Sequence, residues 1–144
     1  MKKVSDILSR KGRNIVSIPP ETTVLEALKL MAEKNIGSVM VMRDQQFLGI
    51  MTERDYSRKV VLNGKSSTDT LVSEIMTVDF PPVSPSDTIE HCMELMTANT
   101  IRYLPVFENN ALCSIISMSD VVKATILGQE ETITQLKDYL HASM

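Results

Sequence analysis

Residues 49–55 read Gly-Ile-Met-Thr-Glu-Arg-Asp, and a segment of the same kind, Ser-Ile-Ile-Ser-Met-Ser-Asp, recurs at residues 114–120. The shift between the two segments is constant, and it holds without a gap when residues 18–56 are placed over residues 83–121. Self-similarity at a fixed period identifies an internal repeat before any helix or strand is assigned. The chain therefore contains two copies of one unit.

Within each copy, the apolar pattern predicts a strand, a helix, two strands and a second helix. The first long helix is predicted to begin at Thr23 in the first copy and at Asp87 in the second, where Asp87 and Glu90 have the spacing of a capping box. Two β-rich segments separated by a polar turn predict a hairpin in each copy. The helix after the second hairpin is predicted to end at Gly128.

The repeat predicts the domain organisation. Residues 1–64 form the first repeat, residues 65–70 a polar linker, residues 71–128 the second repeat and residues 129–144 a C-terminal helix and tail. A unit of about 60 residues is near the size at which one apolar face needs a partner. We therefore expect an α+β fold in which two β-α-β-β-α units pack as a pseudo-two-fold pair. The apolar stripe of the C-terminal helix, expected to dock on the body of the protein or on a second chain, consists of Ile133, Leu136 and Leu140.

Charge narrows the classes of partner. The net charge is -3, but residues 1–65 carry 12 Lys+Arg against 7 Asp+Glu (+5), whereas residues 66–144 carry 3 against 11 (-8). A negatively charged protein without aromatic residues interleaved with arginine is not expected to bind nucleic acid. The basic first half can supply either a local anion site or a solvated positive surface.

The sequence predicts no membrane span, no metal site and no catalytic residues. No apolar run is long enough to cross a bilayer and the N-terminus lacks an apolar signal stretch, so we expect a cytoplasmic protein without a membrane partner. His91 and His141 have no partners at ligand spacing, so no metal site is expected. Cys92 and Cys113 are predicted to be small buried hydrophobes. No P-loop, dinucleotide fingerprint or nucleophile elbow is present, so no catalytic residues are predicted.

The order and duplication of three motifs resemble the cystathionine β-synthase (CBS) domain family. These motifs are a helix start after Pro20 or Pro85, a strand reading Ile-Gly-Ser-Val or Ile-Arg-Tyr-Leu-Pro-Val, and the strand-to-helix turns quoted above. The resemblance covers essentially the whole chain and is closest to small stand-alone bacterial proteins made of one CBS pair and a short terminal helix. It implies a CBS pair (a Bateman module) whose central cleft holds up to two adenosine ligands, and a homodimer of such modules.

The resemblance also carries the family's ribose and phosphate motif, Gly-hydrophobic-x-(Ser/Thr)-x-x-Asp, onto Gly49, Thr52 and Asp55. An ionised aspartate only accepts hydrogen bonds, so one carboxylate can bind the two vicinal hydroxyls of a ribose. A hydroxyl at the first turn of a helix lies beside unpaired N–H groups, which suits an anion. The same spacing also fits an ordinary helix cap with an acidic first turn, and both interpretations stay open. The equivalent residues of the second copy are Ser114, which departs from the glycine, Ser117 and Asp120.

Charge distinguishes the two turns. Arg54 gives the first turn a charge-assisted donor for phosphate, whereas Ser119 occupies that place in the second. The second turn is therefore expected to hold phosphate less firmly, unless Arg102 reaches it from the neighbouring strand, as the resemblance implies. The resemblance further places an adenine against apolar side chains such as Ile18 and Val83, which core packing explains equally well.

Together, these features predict a non-catalytic regulatory or sensor module that binds an adenosine-containing nucleotide in the cleft between its repeats. AMP is favoured because one arginine at the turn accommodates a monophosphate, and ATP, ADP and NAD are alternatives. A dimerising structural scaffold with a vestigial pocket is the second hypothesis. A small enzyme acting on nucleotides is a third, for which the motifs supply no nucleophile, base or metal set. An effector protein that responds to the ligand would be a separate, unknown partner.

Overall fold

The computed structural model describes residues 2–142 and divides the chain into two units. The central unit is formed by Ile15–Phe80. The terminal unit is formed by the residues up to Asn14 together with those from Pro81 onward. Each unit therefore contains the short opening helix of the other sequence repeat: helix α1 (Val4–Lys11) belongs to the terminal unit, and α4 (Val72–Ile75) belongs to the central unit.

The central unit is built around a three-stranded sheet. Strand β1 pairs in parallel with β2, and β2 pairs antiparallel with β3, so the predicted hairpin is confirmed. Apolar side chains of the sheet, of α2 and of α4 form one core cluster, which includes Met31, Met51 and Ile75. The elements preceding α4 are β1 (Ser17–Ile18), α2 (Val24–Lys34), β2 (Ser38–Arg43), β3 (Gln46–Thr52), α3 (Glu53–Tyr56) and a π-helical segment (Ser57–Val61).

The terminal unit repeats this plan with a separate core. Its two long strands form an antiparallel hairpin, and Val83 makes a parallel bridge with Val106. These two residues are the repeat equivalents of Ile18 and Val41, which form a parallel pair in the central unit. The strand pairing therefore follows the sequence repeat. The elements following α1 are α5 (Ile89–Asn99), β4 (Tyr103–Glu108), β5 (Ala111–Ser117) and α6 (Met118–Ala142).

Of the two predicted helix starts, one is confirmed and one is wrong. Thr23 caps α2, and its hydroxyl accepts a hydrogen bond from the N–H of Glu26 at 3.2 Å. Helix α5 is capped by Thr88, not by Asp87. The carboxylate of Asp87 instead accepts the N–H of Ser84 at 2.7 Å and closes the turn before the helix. The cap therefore falls to Thr88, which is the repeat equivalent of Thr23.

The predicted helix end at Gly128 is also wrong, because α6 runs through this glycine as one helix of 25 residues. A glycine inside a helix costs roughly 1 kcal/mol relative to alanine. Packing of the helix on its own unit offsets this cost: Val121 and Ala124 are buried before the glycine, and Glu131 after it forms a 2.9 Å ion pair with Lys2. The predicted terminal helix is thus the second half of α6.

The two cysteines differ in burial. Cys92 is fully buried, as predicted, whereas Cys113 is only partly buried. Burial raises the pKa of the Cys92 thiol to about 11 and also raises the pKa of Cys113. Both thiols are therefore protonated at neutral pH and act as small packing groups. Within residues 2–142, no helix is long and apolar enough to cross a membrane.

Gly49 lies where the segment after α4 crosses β3. Ile50 and Thr77 exchange two backbone hydrogen bonds, each of 2.9 Å. A Cβ atom added at Gly49 would lie 2.9 Å from the carbonyl oxygen of Thr77 and 3.0 Å from Sδ of Met76. The backbone contact leaves no room for a side chain, which explains why the first copy has glycine where the second has the buried Ser114.

We expect Gly49→Ala to lower the free energy of unfolding by about 1–3 kcal/mol, because the Thr77 segment must move away from β3. Ser114→Ala is the matched control, and it should cost less than about 1 kcal/mol because it adds no atoms to its site. Thermal unfolding followed by circular dichroism measures both. An equal loss in the two variants would contradict the proposed steric cause.

Candidate functional site

The first predicted turn joins β3 to α3 through two reciprocal hydrogen bonds. The N–H of Thr52 donates to Oδ2 of Asp55 at 2.9 Å, and the N–H of Asp55 donates to Oγ1 of Thr52 at 3.1 Å. The Thr52 hydroxyl also lies 3.0 Å from the same carboxylate oxygen. Asp55 is only 6% exposed, so the turn places a carboxylate inside the central unit.

The other carboxylate oxygen of Asp55 has partners too. Oδ1 accepts a hydrogen bond from the Thr77 hydroxyl at 3.0 Å and forms an ion pair with Nζ of Lys59, also at 3.0 Å. Lys59 additionally donates to the carbonyl of Ile75 at 2.9 Å. The carboxylate therefore connects α3 to the segment that follows α4. A ribose hydroxyl could reach Oδ1 only by replacing one of these partners.

The second turn repeats the backbone geometry of the first. The N–H of Ser117 donates to Oδ2 of Asp120 at 2.8 Å, and the N–H of Asp120 donates to Oγ of Ser117 at 3.1 Å. Here the cation is Lys11, the last residue of α1, whose Nζ lies 2.9 Å from the same Oδ2. Lys11 also donates to the carbonyl of Ile115 at 3.0 Å.

The electrostatics of the second turn favour an ionised carboxylate. Burial alone would raise the pKa of Asp120, but the hydrogen bond from Lys11 and the N–H of Ser117 outweigh it and hold the pKa below its ordinary value. The Asp120 side chain is 24% exposed and that of Lys11 is 34% exposed. The second carboxylate is therefore charged at neutral pH and more accessible than that of Asp55.

The two lysines do not occupy equivalent positions of the repeat. Ala124 stands in the second copy where the first has Lys59, and Asp79 stands where the first has Lys11. Sequence reasoning missed both lysines. Lys59 follows Asp55 by four residues, a spacing at which helical side chains meet, and could have been found from that signal. Lys11 lies 109 residues from Asp120, and no local pattern joins them.

Arg54 and Arg102, the arginines predicted to bind phosphate, lie near the two turns in sequence but have different surroundings in the structure. Arg54 is exposed and lines a cavity of about 700 Å³ beside the end of α2, whose lining includes neither Thr52 nor Asp55. Arg102 is exposed before β4, and its carbonyl accepts the N–H of Met118 at 2.8 Å. Its backbone therefore contacts the first residue of α6. Phosphate binding by either arginine stays a prediction.

The predicted apolar contacts of the base lie in the two cores. Ile18 is buried in the cluster that contains Ile75, and Val83 is buried in the cluster that contains Ile7. Core packing accounts for both side chains, so an adenine contact stays a prediction for them. In residues 2–142, no group of three or more His, Cys, Asp or Glu side chains could hold a metal ion.

We expect Lys11→Met to lower the free energy of unfolding by about 1 kcal/mol at pH 7, because it removes a partly buried ion pair. The folded-state pKa of Asp120 is depressed, so this stabilisation exists above the unfolded pKa of an aspartate, about 3.9, and is lost as the pH falls through the lower folded value. Calorimetric unfolding between pH 7 and pH 2 measures the difference in free energy of unfolding between Lys11→Met and the unmodified chain. If this difference persists unchanged at pH 2, the ion pair with Asp120 is not its cause.

Comparison with known proteins identifies the repeat. The CBS domain family profile matches residues 4–61 and 72–126, which contain the two turns. The mitochondrial CBS domain-containing protein CBSX3 of Arabidopsis thaliana is 35% identical over 146 residues, covering 95% of this chain and 71% of that protein. The structure of the CBS-domain containing protein ATU1752 from Agrobacterium tumefaciens is 39% identical, with a TM-score of 0.82, and the match covers 86% of this chain and 99% of that one.

A more distant structure shares the fold. The CBS domain pair of protein MJ0100, in complex with 5'-methylthioadenosine and S-adenosyl-L-methionine, is 20% identical, with a TM-score of 0.76 over 90% of this chain and 98% of that one. The predicted α+β fold, two CBS repeats with a C-terminal helix, is therefore confirmed. With both repeats matched by the family profile, the chain belongs to the CBS domain family.

Proposed function

We propose that this CBS pair is a non-catalytic regulatory module that binds an adenosine-containing nucleotide at its Ser/Thr-x-x-Asp turns. The observation that carries the proposal is the duplicated geometry of the two carboxylates. Asp55 and Asp120 each accept the N–H of the residue three positions earlier, at 2.9 and 2.8 Å, and each meets a lysine. A helix cap does not need a second copy of the arrangement.

The ligand class follows from the chemistry of the turns and from the family. A carboxylate suits the vicinal hydroxyls of a ribose, and the MJ0100 pair, which shares the fold, binds two adenosine-containing molecules. In this proposal Asp55 binds the ribose, while Thr52 and Arg54 bind phosphate. AMP is favoured, and ATP, ADP and NAD are the alternatives. The second turn supplies Ser117 and Asp120, with Arg102 as its cation.

Regulation requires more than binding. A ligand shifts an equilibrium only if its affinity differs between two conformations or two assembly states of the module. An effector protein that senses this difference, and a cytoplasmic location, belong to the proposal as well. Dimerisation without a ligand is the competing function, and nucleotide titration separates the two.

We expect at least one of AMP, ADP, ATP and NAD to bind with a dissociation constant below about 1 mM, which corresponds to about 4 kcal/mol. Isothermal titration calorimetry measures the affinity, and Asp55→Asn, which keeps the size but removes the charge, should lose binding at the first turn. It should also reduce the rise in melting temperature that the nucleotide produces.

Asp69→Ala, which removes an exposed carboxylate from the linker, is the control and should bind as the unmodified chain does. If none of the four nucleotides binds below about 1 mM, the regulatory proposal fails for adenosine ligands and the scaffold is the better account.

We further propose that the module is a homodimer whose second copy covers the exposed apolar face of α6. The opposite side of the helix faces its own unit, where Ala124 is buried and Glu131 pairs with Lys2. Seven-residue spacing of apolar side chains is typical of two-stranded coiled coils. The exposed residues with that spacing, and one that lies between them, are Ile126 (50%), Ile133 (52%), Leu140 (59%) and Leu136 (58%).

The charges beside this face are self-complementary. Glu130 and Lys137 follow the helix at the same heptad position, seven residues apart. In an antiparallel pair that sets Ile133 opposite Leu136 of the second copy, Glu130 of each chain lies beside Lys137 of the other. Two reciprocal ion pairs then flank the apolar contact and fix its direction.

We expect Ile133→Asp to convert the dimer to a monomer in sedimentation velocity at micromolar concentration, because it places a charge inside the apolar contact. Thr134→Asp, which adds the same charge at the next, exposed position, should leave the dimer intact. Glu130→Lys should weaken the dimer and the double change Glu130→Lys/Lys137→Glu should restore it. A monomeric unmodified chain, or no rescue by the double change, would contradict this arrangement.

A further inference from the structure

The two aspartates proposed to bind a ribose, Asp55 and Asp120, each form an ion pair with a lysine of the same chain. We infer that Lys11 is an internal competitor for Asp120, so that a nucleotide binding at the second turn must displace Lys11 and thereby detach the C-terminal end of α1. This inference rests on the proposed nucleotide site and adds a regulatory consequence to it. Its starting point is the 2.9 Å contact between Nζ of Lys11 and Oδ2 of Asp120.

The hydrogen bonds of Asp120 show which partner can yield. The N–H of Ser117 belongs to the backbone of the turn and stays with Oδ2 as long as the turn is folded. Lys11 reaches the same oxygen through a flexible four-carbon side chain whose ammonium group water can solvate. Both side chains are partly exposed, at 34% and 24%, so a ribose hydroxyl can approach the contact from solvent. Lys11 is therefore the group that a ribose replaces.

Displacement of Lys11 affects α1 because Lys11 is its last residue. The ammonium group also donates to the carbonyl of Ile115 in β5 at 3.0 Å, so a single movement breaks two contacts of the end of α1, one with Asp120 in α6 and one with β5. Gly12 follows with a φ of 86°, a left-handed value that ends the helix there. The helix as far as Leu8 stays anchored, since Val4, Ile7 and Leu8 are buried in the core. Release is thus confined to the few residues between the buried Leu8 and Arg13, which keeps its own ion pair with Glu108.

The first turn lacks this connection. Lys59 lies one helical turn after Asp55 in the same segment, and its other contacts are with Ile75 and Thr77. Displacing Lys59 would rearrange neighbouring side chains of the central unit without freeing a chain segment. A ligand at the first turn and a ligand at the second therefore have different effects. Only a ligand at the second turn loosens the C-terminal end of α1.

The first test measures affinity, with AMP as the probe. The apparent association constant of a site equals its intrinsic value multiplied by the fraction of molecules in which the site is open. Removing the competitor raises that fraction and should therefore tighten binding. We expect Lys11→Met to bind AMP at the second turn about fivefold more tightly than the unmodified chain, in calorimetry on chains carrying Asp55→Asn to silence the first turn. Lys11→Arg, which keeps a cation, should bind no more tightly than the unmodified residue.

Arg13→Met is the matched control for this test. It removes the neighbouring ion pair with Glu108, in which both side chains are more exposed, without touching the turn. AMP affinity should therefore be unchanged in Arg13→Met.

The second test follows α1 itself by hydrogen exchange. In the unmodified chain, AMP should speed exchange of the amides of residues 10–12, because the end of the helix loses its contacts with Asp120 and Ile115. In Lys11→Met these amides should exchange quickly without AMP and show no further change when it is added. Amides of α5 serve as the internal reference.

The outcomes separate this inference from the proposed function. Equal AMP affinity in the unmodified chain and Lys11→Met overturns the competition while leaving the nucleotide site intact. Weaker binding by Lys11→Met also overturns it, because Lys11 would then bind the ligand. Absence of AMP binding below about 1 mM both in Lys11→Met and in the unmodified chain removes the AMP site itself, and with it the competition for that site.

Discussion

One hydrogen bond organises each half of this protein: the carboxylate of Asp55 or Asp120 accepts the backbone N–H of the residue that ends the hairpin. The bond fixes the angle at which the chain leaves the sheet and enters the next helix, and it leaves the carboxylate of Asp55 buried and that of Asp120 partly exposed. Each carboxylate then attracts a cation and becomes a junction of three elements. In the central unit these are β3, α3 and the segment after α4, and in the terminal unit they are β5, α6 and α1.

Each unit contains the opening helix of the other repeat, and this exchange gives the two carboxylates different partners. Val4 aligns with Val72 and Ile18 with Val83, so the first copy has three additional residues between the start of its opening helix and its first strand. They lie in the region where α1 has eight residues and α4 only four. The additional helical turn carries Lys11 to Asp120, whereas the shorter α4 leads directly to Thr77, whose hydroxyl reaches Asp55. A small difference in the length of the opening helix therefore changes which group holds the carboxylate.

The features predictable from sequence are those that depend on neighbouring residues. Both hairpins, the cap at Thr23 and the shared spacing of the two turns follow from local patterns, and the structure has them. Thr88 caps α5 in place of Asp87 because the carboxylate of Asp87 is used by the preceding turn. Helix α6 continues past Gly128 because it packs on residues distant in sequence, such as Lys2. The packing of α1 on the other repeat, and with it the role of Lys11, could not be predicted because this contact joins residues about one hundred positions apart.

The exchange also resolves the charge asymmetry of the sequence. Residues 1–14 carry 5 Lys+Arg against 1 Asp+Glu (+4), and residues 81–144 carry 3 against 8 (-5), so the terminal unit has a net charge of -1. The basic N-terminal segment thus meets the acidic part of the chain. Its ion pairs are partly exposed and contribute little stability each, whereas the buried Val4, Ile7 and Leu8 hold the helix in place. This division allows the charged end of α1 to be released while its apolar face stays packed.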